Sequence, residues 1–166
     1  DDPLMTKSLK SKIMDCEGIK CEKKKLVEKG VLNFFFNNLD YSRQLKQNTT
    51  GHASRSVSTI PNPSPTNLYL EKGSLPKKEA IESLKSGLLV TELMGSSINF
   101  STGDYSRGAS GFWIENGEIA YPVSEVTIAG NLLDIFSNLT PCDDLVFNFS
   151  TNAPSCLVNK LTIAGL

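Results

Sequence analysis

Apolar residues in this chain fall in short runs separated by stretches rich in Asn, Ser, Gly and Pro. Residues 1–25 are polar, with Lys7, Lys10, Lys12, Lys20 and Lys23-Lys24-Lys25 among small and acidic residues, which predicts a solvated face or mobile terminus. The chain turns apolar at Leu26. Val31-Leu32-Asn33-Phe34-Phe35-Phe36, set between Gly30 and Asn37-Asn38, predicts a strand. Residues 47–65 shift to Thr, Ser, Asn, Gly and Pro, and their prolines cannot donate to a ladder, so a long surface loop is expected there. Asn67-Leu68-Tyr69-Leu70 restarts extended structure. Ser74 as a cap, Pro76 in the first turn and Ala80, Ile81 and Leu84 on one face predict a helix ending at Gly87. Leu88-Leu89-Val90-Thr91-Glu92-Leu93 then predicts a strand buried on both sides.

Asn116-Gly117 between two aromatic and branched runs calls for a two-residue hairpin, because a type I′ turn needs positive φ at both central residues. In that register Glu115 opposes Glu118, Ile114 opposes Ile119, Trp113 opposes Ala120 and Phe112 opposes Tyr121. Phe112, Ile114, Ile119 and Tyr121 would then face the core, leaving the paired glutamates hydrated. Residues 123–129 and 157–164 read as strands closing at Gly130 and Gly165, residues 132–139 as a short helix, and residues 145–149 as a half-exposed strand. Many short strands, one or two helices and no repeated strand-helix-strand unit predict a mainly β, α+β fold built on antiparallel sheet.

A chain of 166 residues with 39% hydrophobic content is long enough for one core, with residues 1–25 as a polar segment and residues 26–166 as the β domain. Seventeen basic against eighteen acidic residues give a net charge of -1, which lacks the footprint of direct nucleic-acid binding. No apolar run approaches the roughly 20 residues needed to cross a bilayer, so no membrane partner is expected. Without a signal peptide, Cys16, Cys21, Cys142 and Cys156 are read as reduced cytoplasmic thiols. The opening Asp1-Asp2-Pro3 suggests a fragment or a split reading frame.

Candidate chemistry is sparse. A zinc protease site needs converging His, Glu or Cys ligands, and the one histidine is His52, in the polar stretch Thr50-Gly51-His52-Ala53. Cys16 and Cys21 have no matching close pair for a four-thiolate site. Ser106 would need a base from outside its own motif to act as a nucleophile. Asp143-Asp144 reads as a solvated turn, and no phosphate-cradling glycine loop is present. What remains is a glycine-rich loop before the hairpin, with Asp104, Tyr105, Ser106, Arg107 and Gly108 as candidate peptide-binding or structural residues. Arg107 would fork onto a peptide carboxylate, or close a tight turn through an ion pair with Asp104.

The run from Gly103 to Val123, together with Leu26-Val27-Glu28-Lys29-Gly30-Val31-Leu32, Pro63-Ser64-Pro65-Thr66-Asn67-Leu68-Tyr69-Leu70, Gly87-Leu88-Leu89-Val90-Thr91-Glu92-Leu93, Val126-Thr127-Ile128-Ala129-Gly130-Asn131, Ala153-Pro154-Ser155 and Leu161-Thr162-Ile163-Ala164-Gly165, resembles the C-terminal part of the TldD/PmbA family, on its PmbA-like branch. That family is described as peptide-processing metalloproteases and as modulators of DNA gyrase. The resemblance implies a curved, barrel-like β domain that acts in a dimer, with a TldD-like subunit or a second copy, on unfolded peptides. In the TldD branch it implies zinc held by a His-Glu-x-x-x-His helix and a late cysteine. This chain lacks that helix, and Cys142 lies in roughly the region of that cysteine. The expectation is therefore a PmbA-like companion with no cofactor of its own, serving peptide binding or subunit pairing. The alternatives are a metalloprotease whose ligands lie elsewhere in the protein, and an inactive remnant.

Overall fold

The computed structural model describes residues 1–165, with the backbone alone at Ser96. In chain order the strands are β1 Val27–Glu28, β2 Val31–Leu32, β3 Ala53–Ser54, β4 Asn62–Pro63, β5 Leu68–Tyr69, β6 Ser86–Ile98, β7 Asp104–Glu115, β8 Glu118–Asn131, β9 Leu139–Pro141, β10 Thr151–Asn152, β11 Cys156–Val158 and β12 Thr162–Ala164. The helices are α1 Leu39–Leu45, α2 Lys77–Glu82 and α3 Leu132–Ser137. The fold is mainly β, as the pattern predicts. Most strand pairs are antiparallel, and among the described residues the sheets are open rather than closed into a barrel. The chain forms two compact units, one of Asp1–Leu70 with Val146–Ala153, the other of Glu71–Leu145 with the residues from Pro154 onward.

The first unit is held together by polar contacts more than by sheet. The expected strand at 31–36 shrinks to β2, which pairs with β1 across Lys29 and Gly30, both at positive φ. Phe34 and Phe36 leave the ladder and pack edge to face with centroids 5.8 Å apart. Within the expected loop, β3 and β4 pair antiparallel, and α1 follows Asn38, whose side chain accepts from the Tyr41 N–H. Residues 1–25 present a solvated face, with Lys7, Lys10, Lys20, Lys23 and Lys25 exposed, but are not a loose terminus. Asp1, Pro3, Asp15 and Cys21 are buried, and main-chain bonds such as Asp2 N to Asn67 O at 3.0 Å and Lys24 N to Asp1 O at 2.9 Å tie the segment down. Several lysine heads are hydrated while the backbone beneath them is fixed. No strand forms at 145–149: the Asn152 side chain draws in the N–H groups of Asn148 and Phe149, each at 3.0 Å, and closes a turn there.

The second unit is organised on a four-stranded antiparallel sheet in the order β12-β8-β7-β6. Its central hairpin turns at Asn116 and Gly117, with φ of 51° and 82°. The turn N–H groups of Asn116 and Gly117 donate to Lys85 O and Leu84 O, each at 2.7 Å. A Cβ on Gly117 would lie 2.7 Å from Glu82 O, so glycine is required there by contact as well as by φ. Glu115 opposes Glu118 and Ile114 opposes Ile119 as expected, but Trp113 opposes Tyr121 because Ala120 is bulged out of register. That slip redistributes the faces. Ile114 is buried, whereas Phe112, Ile119 and Tyr121 are exposed. The core forms instead around Ala109, Val126 and Ile128, with Leu88, Tyr105, Val123 and Ile163 packed against them.

The predicted buried strand at 88–93 becomes the long edge strand β6. Val90 and Leu93 are exposed, because an outer strand of an antiparallel sheet leaves a face and an edge to solvent. The helix expected from Ser74 to Gly87 forms only as α2, capped by Pro76 without a side-chain bond and ending at Ser83. The one expected after Asn131 forms as α3, with the Asn131 side chain accepting from the Leu133 N–H.

Candidate functional site

Asp104, Tyr105, Ser106, Arg107 and Gly108 all lie on β7 rather than in a loop. They are laddered to β8 on one side and β6 on the other, so this segment has no free edge of its own. Alternation along the strand turns Asp104 and Arg107 to opposite faces, and the expected ion pair does not form. Asp104 instead accepts from Thr102 Oγ1 at 2.6 Å. Arg107 shares the core face with Tyr105 and Ala109, its Nη2 donates to Leu93 O at 3.4 Å, and its Nε is buried with no hydrogen-bond partner. The actual loop is at 99–103, where the Asn99 side chain accepts from the N–H groups of Ser101 and Thr102.

The first unit holds a buried polar knot that sequence reasoning missed. Asp1, His52 and Thr66 are all buried. His52 Nε2 lies 3.1 Å from Asp1 Oδ2, the Thr66 N–H donates to Asp1 Oδ1 at 2.7 Å, and the Thr66 hydroxyl donates to Asp1 Oδ2. Phe36 packs over the imidazole at 4.4 Å. Burial above all, helped by the Lys24 and Lys12 charges and opposed by the Thr50 carbonyl, lowers the His52 pKa to about 4, so the ring is neutral at pH 7. Around this knot Asp15 accepts from the N–H groups of Glu17, Ile19 and Ala53. Asn37 and Thr50 bond reciprocally across 13 positions. The signal was in the sequence as Thr50-Gly51-His52 and Thr66-Asn67, short polar side chains able to satisfy buried backbone. Nearby, a cavity of about 460 Å³ is lined by Lys24, Leu32, Phe34, Phe35, Gln47 and Thr50, among others.

These groups do not fit a resident metal. His52 Nε2 is committed to Asp1, and its Nδ1 is buried with no hydrogen-bond partner and no second ligand beside it among the described residues. The Cys142 thiol is pushed up by burial and by Asp144 and Asp143, which disfavours the thiolate a metal requires. Among the described residues no three His, Cys, Asp or Glu side chains converge on one point. The four cysteines are free thiols, and no helix among the described residues is long and apolar enough to cross a membrane.

The sequence profile of the PmbA/TldA metallopeptidase C-terminal domain matches residues 1–165. The chain belongs to this family. It is 38% identical over 164 residues to the metalloprotease PmbA homolog of Haemophilus influenzae, covering 98% of this chain and 35% of that protein. A Thermotoga maritima protein described as a candidate modulator of a DNA gyrase superposes with a TM-score of 0.83 at 35% identity, over 99% of this chain and 38% of that one. TldE from Thermococcus kodakarensis superposes with a TM-score of 0.88 at 26% identity, over 99% and 39%. The chain thus spans little more than a third of the PmbA/TldA relatives it matches. The phrases that carried the sequence resemblance fall in both units, so the PmbA/TldA domain description takes in the polar knot as well as the sheet.

Proposed function

We propose that this chain is the peptide-binding and subunit-pairing portion of a PmbA-like subunit, that it holds no metal of its own, and that zinc is held by a TldD-like partner. The observation that carries the reading is β6, thirteen residues long and outermost in the sheet order. An extended peptide added along such an edge gains affinity through main-chain hydrogen bonds and tolerates varied side chains, which suits unfolded substrates. Residues 104–108 on β7 then lie one strand behind the added peptide.

Peptides N-methylated at alternate positions test the strand addition. Binding to the full-length protein is expected to fall about tenfold when a methyl group replaces an N–H that pairs with β6, roughly the loss of one hydrogen bond. Methylation one residue away is expected to leave affinity unchanged. Equal loss at every position, or none, rules out main-chain pairing. A double substitution of Asp104 and Arg107 that left both peptide binding and subunit pairing intact would remove residues 104–108 from the site.

A second reading, a metalloprotease whose ligands come from the rest of the protein, is favoured by the chain covering only 35% of its Haemophilus relative. Metal analysis of the full-length protein separates the two. Stoichiometric zinc together with peptide turnover in the absence of a TldD-like subunit would support the second and exclude the first.

A further inference from the structure

From Ser86 to Asn159 the sequence carries eight acidic residues and a single basic one, Arg107. None of those acids is paired with it among the described residues. Its guanidinium has five N–H donors, of which one makes a long bond of 3.4 Å to Leu93 O and another, on Nε, is buried and unused. Buried donors are nearly always satisfied, so one left open marks a place for an acceptor.

The position of Arg107 in the ladder shows where that acceptor would lie. On the β8 side it opposes Ile128. On the β6 side it falls between the pairs Met94 with Gly108 and Ser97 with Ser106, opposite the two residues at which β6 bulges. The bulge includes Gly95 at φ 70°, with open space where a side chain would stand. Neighbouring strands lie about 4.8 Å apart, and the bond to Leu93 O places the guanidinium over β6 itself. The guanidinium therefore reaches the backbone of the outer strand, beside an interruption of the ladder.

We infer that Arg107 is a carboxylate anchor for an extended peptide lying along β6, with its fork donating two parallel hydrogen bonds to the carboxylate. The inference rests on the strand-addition reading above and adds a preference to it. One carboxylate is bound at a fixed register, and the surrounding acidic residues disfavour peptides carrying several. The carboxylate comes from an Asp or Glu side chain or from the peptide C-terminus.

Fluorescence anisotropy with the full-length protein and four versions of one extended peptide tests it. The versions carry a single Glu with a free C-terminus, Gln in place of that Glu, an amidated C-terminus, and both changes. Removing the carboxylate that docks is expected to weaken binding at least about tenfold, the effect of losing a charge-assisted bond, and the other removal is expected to be silent. Arg107→Gln should erase the difference between acid and amide peptides, while Arg107→Lys keeps part of it. Equal binding of all four peptides to the unaltered protein overturns the anchor even where Arg107→Gln fails to fold. So does an acid preference that survives Arg107→Gln. Binding sensitive to N-methylation without any acid preference removes only the anchor. Failure of every peptide to bind removes the strand-addition reading along with it.

Discussion

A neutral histidine sealed against a carboxylate makes the first unit sensitive to acid. His52 titrates near 4 in the folded chain and near 6.5 unfolded. Because the folded value is the lower one, the unfolded state takes up the proton first. The contribution of His52 to stability is complete above pH 6.5, declines as the pH falls from there to 4, and stays lost below that. The difference corresponds to about 3 kcal/mol. Urea midpoints between pH 7 and 4 should therefore fall more steeply in the unaltered protein than in His52→Gln, whose side chain does not titrate. Parallel slopes would show that His52 is not what the acid reaches. Thr66→Val keeps the shape and removes one hydroxyl donor to Asp1; a loss of about 1–3 kcal/mol is expected at pH 7 by chemical denaturation. The sequence shows the short polar side chains at Thr50-Gly51-His52 and Thr66-Asn67 but not that they are buried, since His52 sits in a polar stretch. Its burial depends on Asp1 and Thr66, far away in the chain, and hydropathy windows register only near neighbours.

Elements were legible where a local rule was sufficient. Asn116-Gly117 specified its turn because two positive φ values are hard to supply otherwise, and the caps at Asn38 and Asn131 follow the same logic of short side chains satisfying a free N–H. The faces of the hairpin were not legible. A period of two assumes an unbroken ladder, and the bulge at Ala120 shifts every pair beyond it. The same limit applies to β6, whose break after Val90 falls at an ordinary strand residue, Thr91, while the break after Met94 is marked by Gly95. Candidate residues 104–108 were found but assigned to a loop, since their glycines suggest a turn when read alone; between two partners those glycines are close-packed strand positions. The hairpin offers a direct test at this scale. Gly117→Ala is expected to cost about 1–3 kcal/mol, seen as a lower Tm, because alanine both resists φ near 82° and meets Glu82 O. A neutral substitution would show that the turn is not seated against α2.

For the whole molecule, the family matches settle what periodicity alone could not. Mainly β patterning is compatible with many architectures, and the match of the PmbA/TldA domain over residues 1–165 selects one. Phe35 and Phe149 in the first unit, and Phe100, Leu133 and Phe136 in the second, are among the large apolar side chains left exposed. Hydrogen exchange on the full-length protein, with and without a TldD-like subunit, should show protection gained at β6 or α3 on pairing. Unchanged exchange at both would remove this chain from the interface.

The parallel pair of β5 with β10 joins Leu68 to Thr151 and Tyr69 to Asn152. A ribosome releases Tyr69 long before Asn152, and all of β6, β7 and β8 is synthesised between them. The first unit therefore cannot close when its own first seventy residues have emerged. It waits, with one edge unsatisfied, until the hairpin and the strand that carries Asn152 have been made.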